Sequence, residues 1–181
     1  MDKVEQAIYF ATKAHHGQNR KIEDVAMIFH PFTVGMILQR VGCRDEVIIA
    51  GILHDVIEDT KYTKEDIKKK FGKKVSDLVE GVSESDKSLP WEERKQETID
   101  YLKTASLDEK LIECADKINN LESIYIDIQK EGEEVWKKFK RGGEEQKWYH
   151  SNVYESLIMN SDSNNPLFKR YRELIRKVFN S

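Results

Sequence analysis

The chain has 181 residues, 39% of them hydrophobic and 35% charged, and its 30 Lys and Arg against 33 Asp and Glu leave a net charge of −3. That balance argues against a protein that grips nucleic acid through bulk positive charge. Nine glycines and three prolines make about 7% of the chain against about 12% in average usage, too few turn-formers for a sandwich, barrel or propeller.

Val4, Ala7, Ile8, Ala11 and Ala14 follow helical spacing, and His15-His16-Gly17 stops that helix. Pro31 suits the first turn of a second helix, which buries Val34, Ile37 and Leu38 and ends at Gly42. Asp45 reads as the N-cap of a third helix running from Val47 through Ile57, apolar on most sides and therefore central. Thr63 to Asp66 caps a short helix that ends before Gly72, and Val75, Leu78, Val79 and Val82 mark the next. After a polar break at Ser83 to Pro90, a helix is predicted from Trp91 to Thr104. Asp108 is taken as the cap of a long helix carrying Ile112, Ala115, Ile118, Leu121, Tyr125 and Ile128, and a last helix follows Pro166. The expected fold is all-α, a compact single-domain bundle of about eight to ten helices. One domain suits this length, so residues 1–181 are read as one unit.

Cys43 and Cys114 stand far apart in apolar contexts and read as reduced thiols. The first residues lack a charged-then-apolar leader, and the longest apolar run, Val47 to Leu53, is far short of a membrane span. A cytoplasmic location without membrane or nucleic-acid partners is the expectation, and monomer and homo-oligomer both stay open. Glycine-rich nucleotide loops, a G-x-S-x-G elbow and C-x-x-C pairs are absent from the sequence.

The segment His54-Asp55-Val56-Ile57-Glu58-Asp59 interrupts the most apolar helix. Helical spacing puts its polar groups on one broad side. Three carboxylates following a buried run cost several kcal/mol unless something cationic compensates, and a bound metal would do so. A single His or Asp here would read as an exposed helix end; the whole set reads as a site. Asp116 and Asn120 share a helix face that could equally meet solvent, and His30 alone could be a core histidine. Together His30, His54, Asp55 and Asp116 offer a mixed nitrogen and oxygen set without thiolate, suited to Mn²⁺, Fe²⁺, Co²⁺, Ni²⁺ or Mg²⁺.

At these residues the sequence resembles the His-Asp (HD) metal-dependent phosphohydrolases, and among them the hydrolase domain of the RelA/SpoT homologues and the small alarmone hydrolases. Blocks agree in order: Ala14-His15-His16-Gly17-Gln18, Arg20-Lys21, Ile28-Phe29-His30-Pro31, Leu53 to Thr60, Phe71-Gly72, Leu78 to Val82, Arg94-Lys95 and Ala115 to Leu121. The matching core spans about 5–125, leaving a helical extension over 126–181. The resemblance implies that His30, His54, Asp55 and Asp116 hold one ion, most simply Mn²⁺. It implies that Glu58 and Asp59 activate or orient the attacking water, that Arg20 and Lys21 reach phosphate, and that Asn120 faces the substrate. The implied reaction is 3′-pyrophosphohydrolysis of a (p)ppGpp-like nucleotide. An HD phosphohydrolase on another nucleotide or phosphate ester, of 5′-nucleotidase or nucleoside triphosphate pyrophosphohydrolase type, is the alternative, and a non-catalytic metal-binding regulatory module is a weaker one. Met27, Glu84 and Glu122 depart from the family pattern, which has Tyr, Lys and Arg there; all three lie outside the metal set and bear on which nucleotide is recognised. The aromatics of the C-terminal region read as packing, with Tyr149 able to line a pocket.

Overall fold

A computed structural model describes residues 1–20, 25–84 and 87–179. Among them the chain forms ten α-helices and one 3-10 helix, with a lone antiparallel bridge between Asn19 and Ala26 in place of any sheet. A capping box starts α1 (Lys3–Ala14): the Asp2 carboxylate accepts from the Glu5 N–H, and Glu5 returns the bond. The helix α2 (Phe29–Arg40) holds Pro31 in its first turn, where a missing N–H costs nothing. In α3 (Asp45–Leu53) every residue from Val47 to Leu53 is buried. Arg44 rather than Asp45 is its N-cap, and Asp45 is the first helical residue; there its carboxylate still meets the positive end of the helix dipole.

Then come α4 (Val56–Asp59), α5 (Lys64–Phe71) with a Thr63/Asp66 capping box, α6 (Lys73–Val82) and α7 (Trp91–Thr104). The long α8 (Leu107–Glu131) starts two residues earlier than expected. Ser106 and Glu109 form its capping box, and Asp108 sits in the first turn. The Ser106 hydroxyl reaches the N3 amide, a role that Asp108, already helical, cannot play. A 3-10 segment, Gly132–Lys138, leads to α9 (Gly143–Ile158) and α10 (Pro166–Phe179). The 25-residue α8 is the spine: it packs on α2, α3, α6, α9 and α10. Both cysteines are free thiols. No helix of the described residues is long and apolar enough to cross a membrane.

The closeness of α2 and α3 depends on two glycines. A Cβ on Gly51 would stand 2.4 Å from Leu38 Cδ1, and one on Gly35 would stand 2.5 Å from Ile52 Cγ1. Overpacking of this kind costs roughly 1–3 kcal/mol. Gly51→Val should therefore lower the melting temperature by roughly 2–10 °C, read by thermal circular dichroism; an unchanged melt would show that the crossing has room to spare.

Candidate metal centre

The expected continuous helix through Ile57 is not what forms: α3 ends at Leu53 and α4 begins at Val56. His54 and Asp55 keep right-handed dihedrals (φ −57°, ψ −38° and φ −86°, ψ −6°). However, His54 Nδ1 donates to the Gly51 carbonyl at 2.8 Å, engaging the oxygen that an unbroken helix would offer to the Asp55 N–H. This local contact places His54 and Asp55 at a joint in the middle of the core.

Two further elements deliver ligands to that joint, α2 with His30 and α8 with Asp116. His30 Nε2 lies 3.2 Å from His54 Nε2 and 3.0 Å from Asp116 Oδ1. Asp55 joins at 3.1 Å from His54 Nε2 and 3.7 Å from His30 Nε2. The tightest set is His30, His54 and Asp116, all buried, with one ligand atom of each within 4.8 Å of the others; Asp55 approaches from its edge.

The tautomers decide what this set can bind. His30 Nδ1 lies 2.7 Å from Asn119 Oδ1, and His54 Nδ1 is held by the Gly51 carbonyl. A neutral imidazole carries one N–H, and both rings use theirs at Nδ1. Both Nε2 lone pairs then face each other and the carboxylates, which is repulsive in a buried place unless a cation lies between. Burial disfavours a charged His54, yet Asp55 and Asp116 outweigh it and hold the ring above its usual pKa. Burial also opposes a charged Asp116, but Lys117 and the two rings hold it well below the usual carboxylate range. The donor set fits one divalent ion.

A second layer fixes the first. Asn119 Oδ1 also accepts from Arg20 Nη1 at 3.4 Å, Arg20 Nη2 reaches Asn120 Oδ1 at 3.3 Å, and Asn120 Nδ2 donates to Asp116 Oδ1 at 2.7 Å. Arg20 and Asn120 thus stand at the edge of the metal set; Lys21 lies outside the described residues. Asn119 was not foreseen, although Asp116, Asn119, Asn120, Ser123 and Asp127 recur at helical intervals. That stripe faces the cleft rather than solvent.

Glu58 and Asp59, expected to be free, are both engaged. The Glu58 carboxylate accepts from the Glu84 N–H at 2.7 Å, and Asp59 pairs with Lys87 at 2.5 Å while its carbonyl accepts from Gln18 Nε2. Burial pushes Glu58 up to about 7, with Asp55 and Glu84 adding to it against the amide bond and Lys87.

His30, His54, Asp55, Asp116, Arg20, Asn120, Glu58, Asp59, Gln18, Glu84 and Lys87 line one cleft of about 910 Å³. Among the described residues six Lys and Arg and seven Asp and Glu line it, so the protein side chains alone do not attract an anion; a divalent ion reverses the balance. Of the three departures, Met27 and Glu84 line the cleft, whereas Glu122 pairs with Arg170 of α10 instead. Tyr149 lines it too.

The family model described as HD domain matches residues 7–143. A relative from Danio rerio, the guanosine-3′,5′-bis(diphosphate) 3′-pyrophosphohydrolase MESH1, is 38% identical over 122 residues, covering 66% of this chain and 67% of its own length. An enzyme of the same description from Aquifex aeolicus is 33% identical over 128 residues, and there the chain spans only 18% of the relative. Among solved structures, a Listeria monocytogenes protein superposes with a TM-score of 0.79 at 42% identity over 84% of this chain and 99% of its own. Another, described as a metazoan ortholog of SpoT that hydrolyzes ppGpp, gives 0.80 at 28% identity over 98% and 96%.

Because Asn119 fixes the His30 tautomer, Asn119→Ala should weaken binding of a divalent ion roughly 10–100-fold, measured by isothermal titration calorimetry. Unchanged affinity would show that the ring needs no such partner.

Proposed function

The chain belongs to the HD domain family, and from that premise we propose that it is a metal-dependent guanosine-3′,5′-bis(diphosphate) 3′-pyrophosphohydrolase. The observation that carries the reading is the pair of Nε2 atoms facing each other beside Asp116, a buried arrangement that offers its ligand atoms to one divalent cation. The names of the Danio rerio and Aquifex aeolicus relatives support the substrate.

His30, His54, Asp55 and Asp116 would hold the ion, with Mn²⁺ the choice for a nitrogen and oxygen set without thiolate. A divalent ion in that position lowers the pKa of water and polarises a phosphoryl oxygen. Glu58, with a pKa near neutrality, takes a proton from the attacking water, and Asp59, held by Lys87 and Gln18, orients that water. Arg20 and Lys21 neutralise phosphate oxygens through charge-assisted hydrogen bonds, and Asn120 meets the nucleotide beside Asp116. The bond that breaks joins the 3′ oxygen to its phosphorus. The water oxygen leaves in pyrophosphate, and the 3′ oxygen takes up a proton.

Met27 and Glu84 in the cleft favour one second reading, the same engine acting on another nucleotide or phosphate ester. The paired Glu58 and Asp59 speak against a module that only binds metal, since a scaffold has no use for a carboxylate poised near neutrality.

Incubation with Mn²⁺ and guanosine 3′,5′-bis(diphosphate) should release pyrophosphate and GDP, resolved by anion-exchange chromatography. Asp55→Ala or chelator should abolish release, and Mn²⁺ should restore the chelated protein. Orthophosphate from a nucleoside monophosphate would establish the second reading, and full turnover after metal removal would overturn both. The pH profile is a further check. Glu58 must be ionised to accept a proton, so kcat/KM should rise with pH along a limb centred at or below about 7, because a nearby cation favours the carboxylate. Glu58→Gln should remove that limb together with most of the activity.

A further inference from the structure

Apart from the metal set, the α7 side of the cleft carries its own charge cluster. Arg94 and Lys95, near the start of α7, each grip a different oxygen of the Glu84 carboxylate. The three side chains are 21%, 17% and 17% exposed, in the order Arg94, Lys95, Glu84. Lys95 Nζ also lies 4.8 Å from the centroid of the Tyr149 ring, and Lys117 Nζ lies 5.7 Å from the same ring. Tyr149 is buried, and its hydroxyl has no hydrogen-bond partner among the described residues.

Two cations, one on each oxygen of a single anion, form the seat that a phosphate group also takes. The cations are too buried to stand without a counter-charge, and Glu84 supplies it. Burial and the neighbouring Lys117 weaken the Lys95 ammonium, and Glu84 opposes them. Burial likewise disfavours the Glu84 carboxylate, but Lys95, Arg94 and Lys117 hold it ionised. The carboxylate is therefore in the same position, chemically, as a ligand phosphate would be.

We propose that Glu84 is a specificity-determining residue whose carboxylate occupies the Arg94–Lys95 seat as an internal stand-in for phosphate. A nucleotide phosphorylated only at its 3′ end binds at the metal set and leaves Glu84 in place. A nucleotide phosphorylated at both ends brings a second anion to the α7 side and must displace Glu84 from the two cations. Glu84 thus sets how strongly the cleft favours doubly phosphorylated nucleotides over those phosphorylated only at the 3′ end. The unpartnered Tyr149 hydroxyl offers the arriving group a further donor. The placement of the first phosphorylated end rests on the phosphohydrolase reading above; the competition at the α7 seat does not need turnover.

The test uses the full chain with Mn²⁺ in a Glu58→Gln background, which halts turnover, and measures Kd by titration calorimetry. Adding Glu84→Gln should tighten guanosine 3′,5′-bis(diphosphate) roughly tenfold, the size expected when one desolvated competing charge is removed, and change guanosine 3′-diphosphate, which lacks the 5′ phosphates, by less than about twofold. Adding Lys95→Gln should weaken the bis(diphosphate) and spare guanosine 3′-diphosphate. If Glu84→Gln does not fold, Glu84→Asp, one methylene shorter and unable to span both cations, should shift the same ratio in the same direction. Equal changes for both ligands, or no tightening of the bis(diphosphate), would overturn the proposal. Failure of the hydrolase reading looks different: the unsubstituted chain releases no pyrophosphate while the pattern of Kd values stands.

Discussion

Two imidazole nitrogens facing each other at 3.2 Å beside a buried carboxylate are the constraint around which the rest of this molecule is arranged. Such a set needs positive charge between its members, from a proton on a ring or from a bound cation. The three helices that carry it, α2, the end of α3, and α8, are also the helices that pack together at the centre of the bundle. Gly35 lies one and a half turns beyond His30 and Gly51 lies one turn before His54, and their missing side chains let α2 and α3 approach closely. Core packing and metal geometry are thus one requirement. A change that spread α2 from α3 would also move the two Nε2 atoms apart.

The charges around this centre are organised by pairing. Asp116 is shared among His30, Asn120 and Lys117, Asp59 is held by Lys87, and Glu84 by Arg94 and Lys95. Glu58 is the exception: its strongest contact is the neutral Glu84 amide, with Lys87 Nζ at 3.7 Å, which is why burial moves it toward neutrality. In a cleft where nearly every charge is already answered, added positive charge is what makes room for an anionic ligand. A bound divalent ion would favour an anionic ligand for that electrostatic reason.

Much of this was legible in the sequence because it depends on local signals. The spacing of Val4, Ala7 and Ala11, the Thr63 to Asp66 cap, and the limits Trp91 and Thr104 are matters of helical period and capping, and they appear in the fold at those places. The His54-Asp55 motif stood out because it broke an apolar run. What the sequence concealed depends on tertiary contact or on a single side chain competing with the backbone. The halt of α3 at Leu53 comes from the His54 ring taking the Gly51 carbonyl, which no propensity reveals. The polar stripe of α8 could have met water or ligand, and only the packing of Asn119 onto His30, 89 positions away, decides between them. Lys87 is distant from Glu58 and Asp59 along the chain by 29 and 28 residues, so its pairing left no local trace.

The scarcity of glycine has a consequence for how phosphate is handled. Folds that cradle phosphate with backbone amides do so through glycine-rich loops at helix starts. Here Gly35 and Gly51 serve helix contact, while Gly17, Gly42, Gly72 and Gly132 adopt positive φ at helix ends. Gly142 and Gly143, at the start of α9, lie against the Glu145 and Trp136 side chains. A cleft so built would take phosphate through side chains, and side chains can be neutralised one by one by acidic neighbours in a way that amides cannot. A cleft built so can change its preference among nucleotides by a single exchange of charge, such as Glu84 where the resembling family carries a basic residue, while the histidines and aspartates at its centre stay as they are.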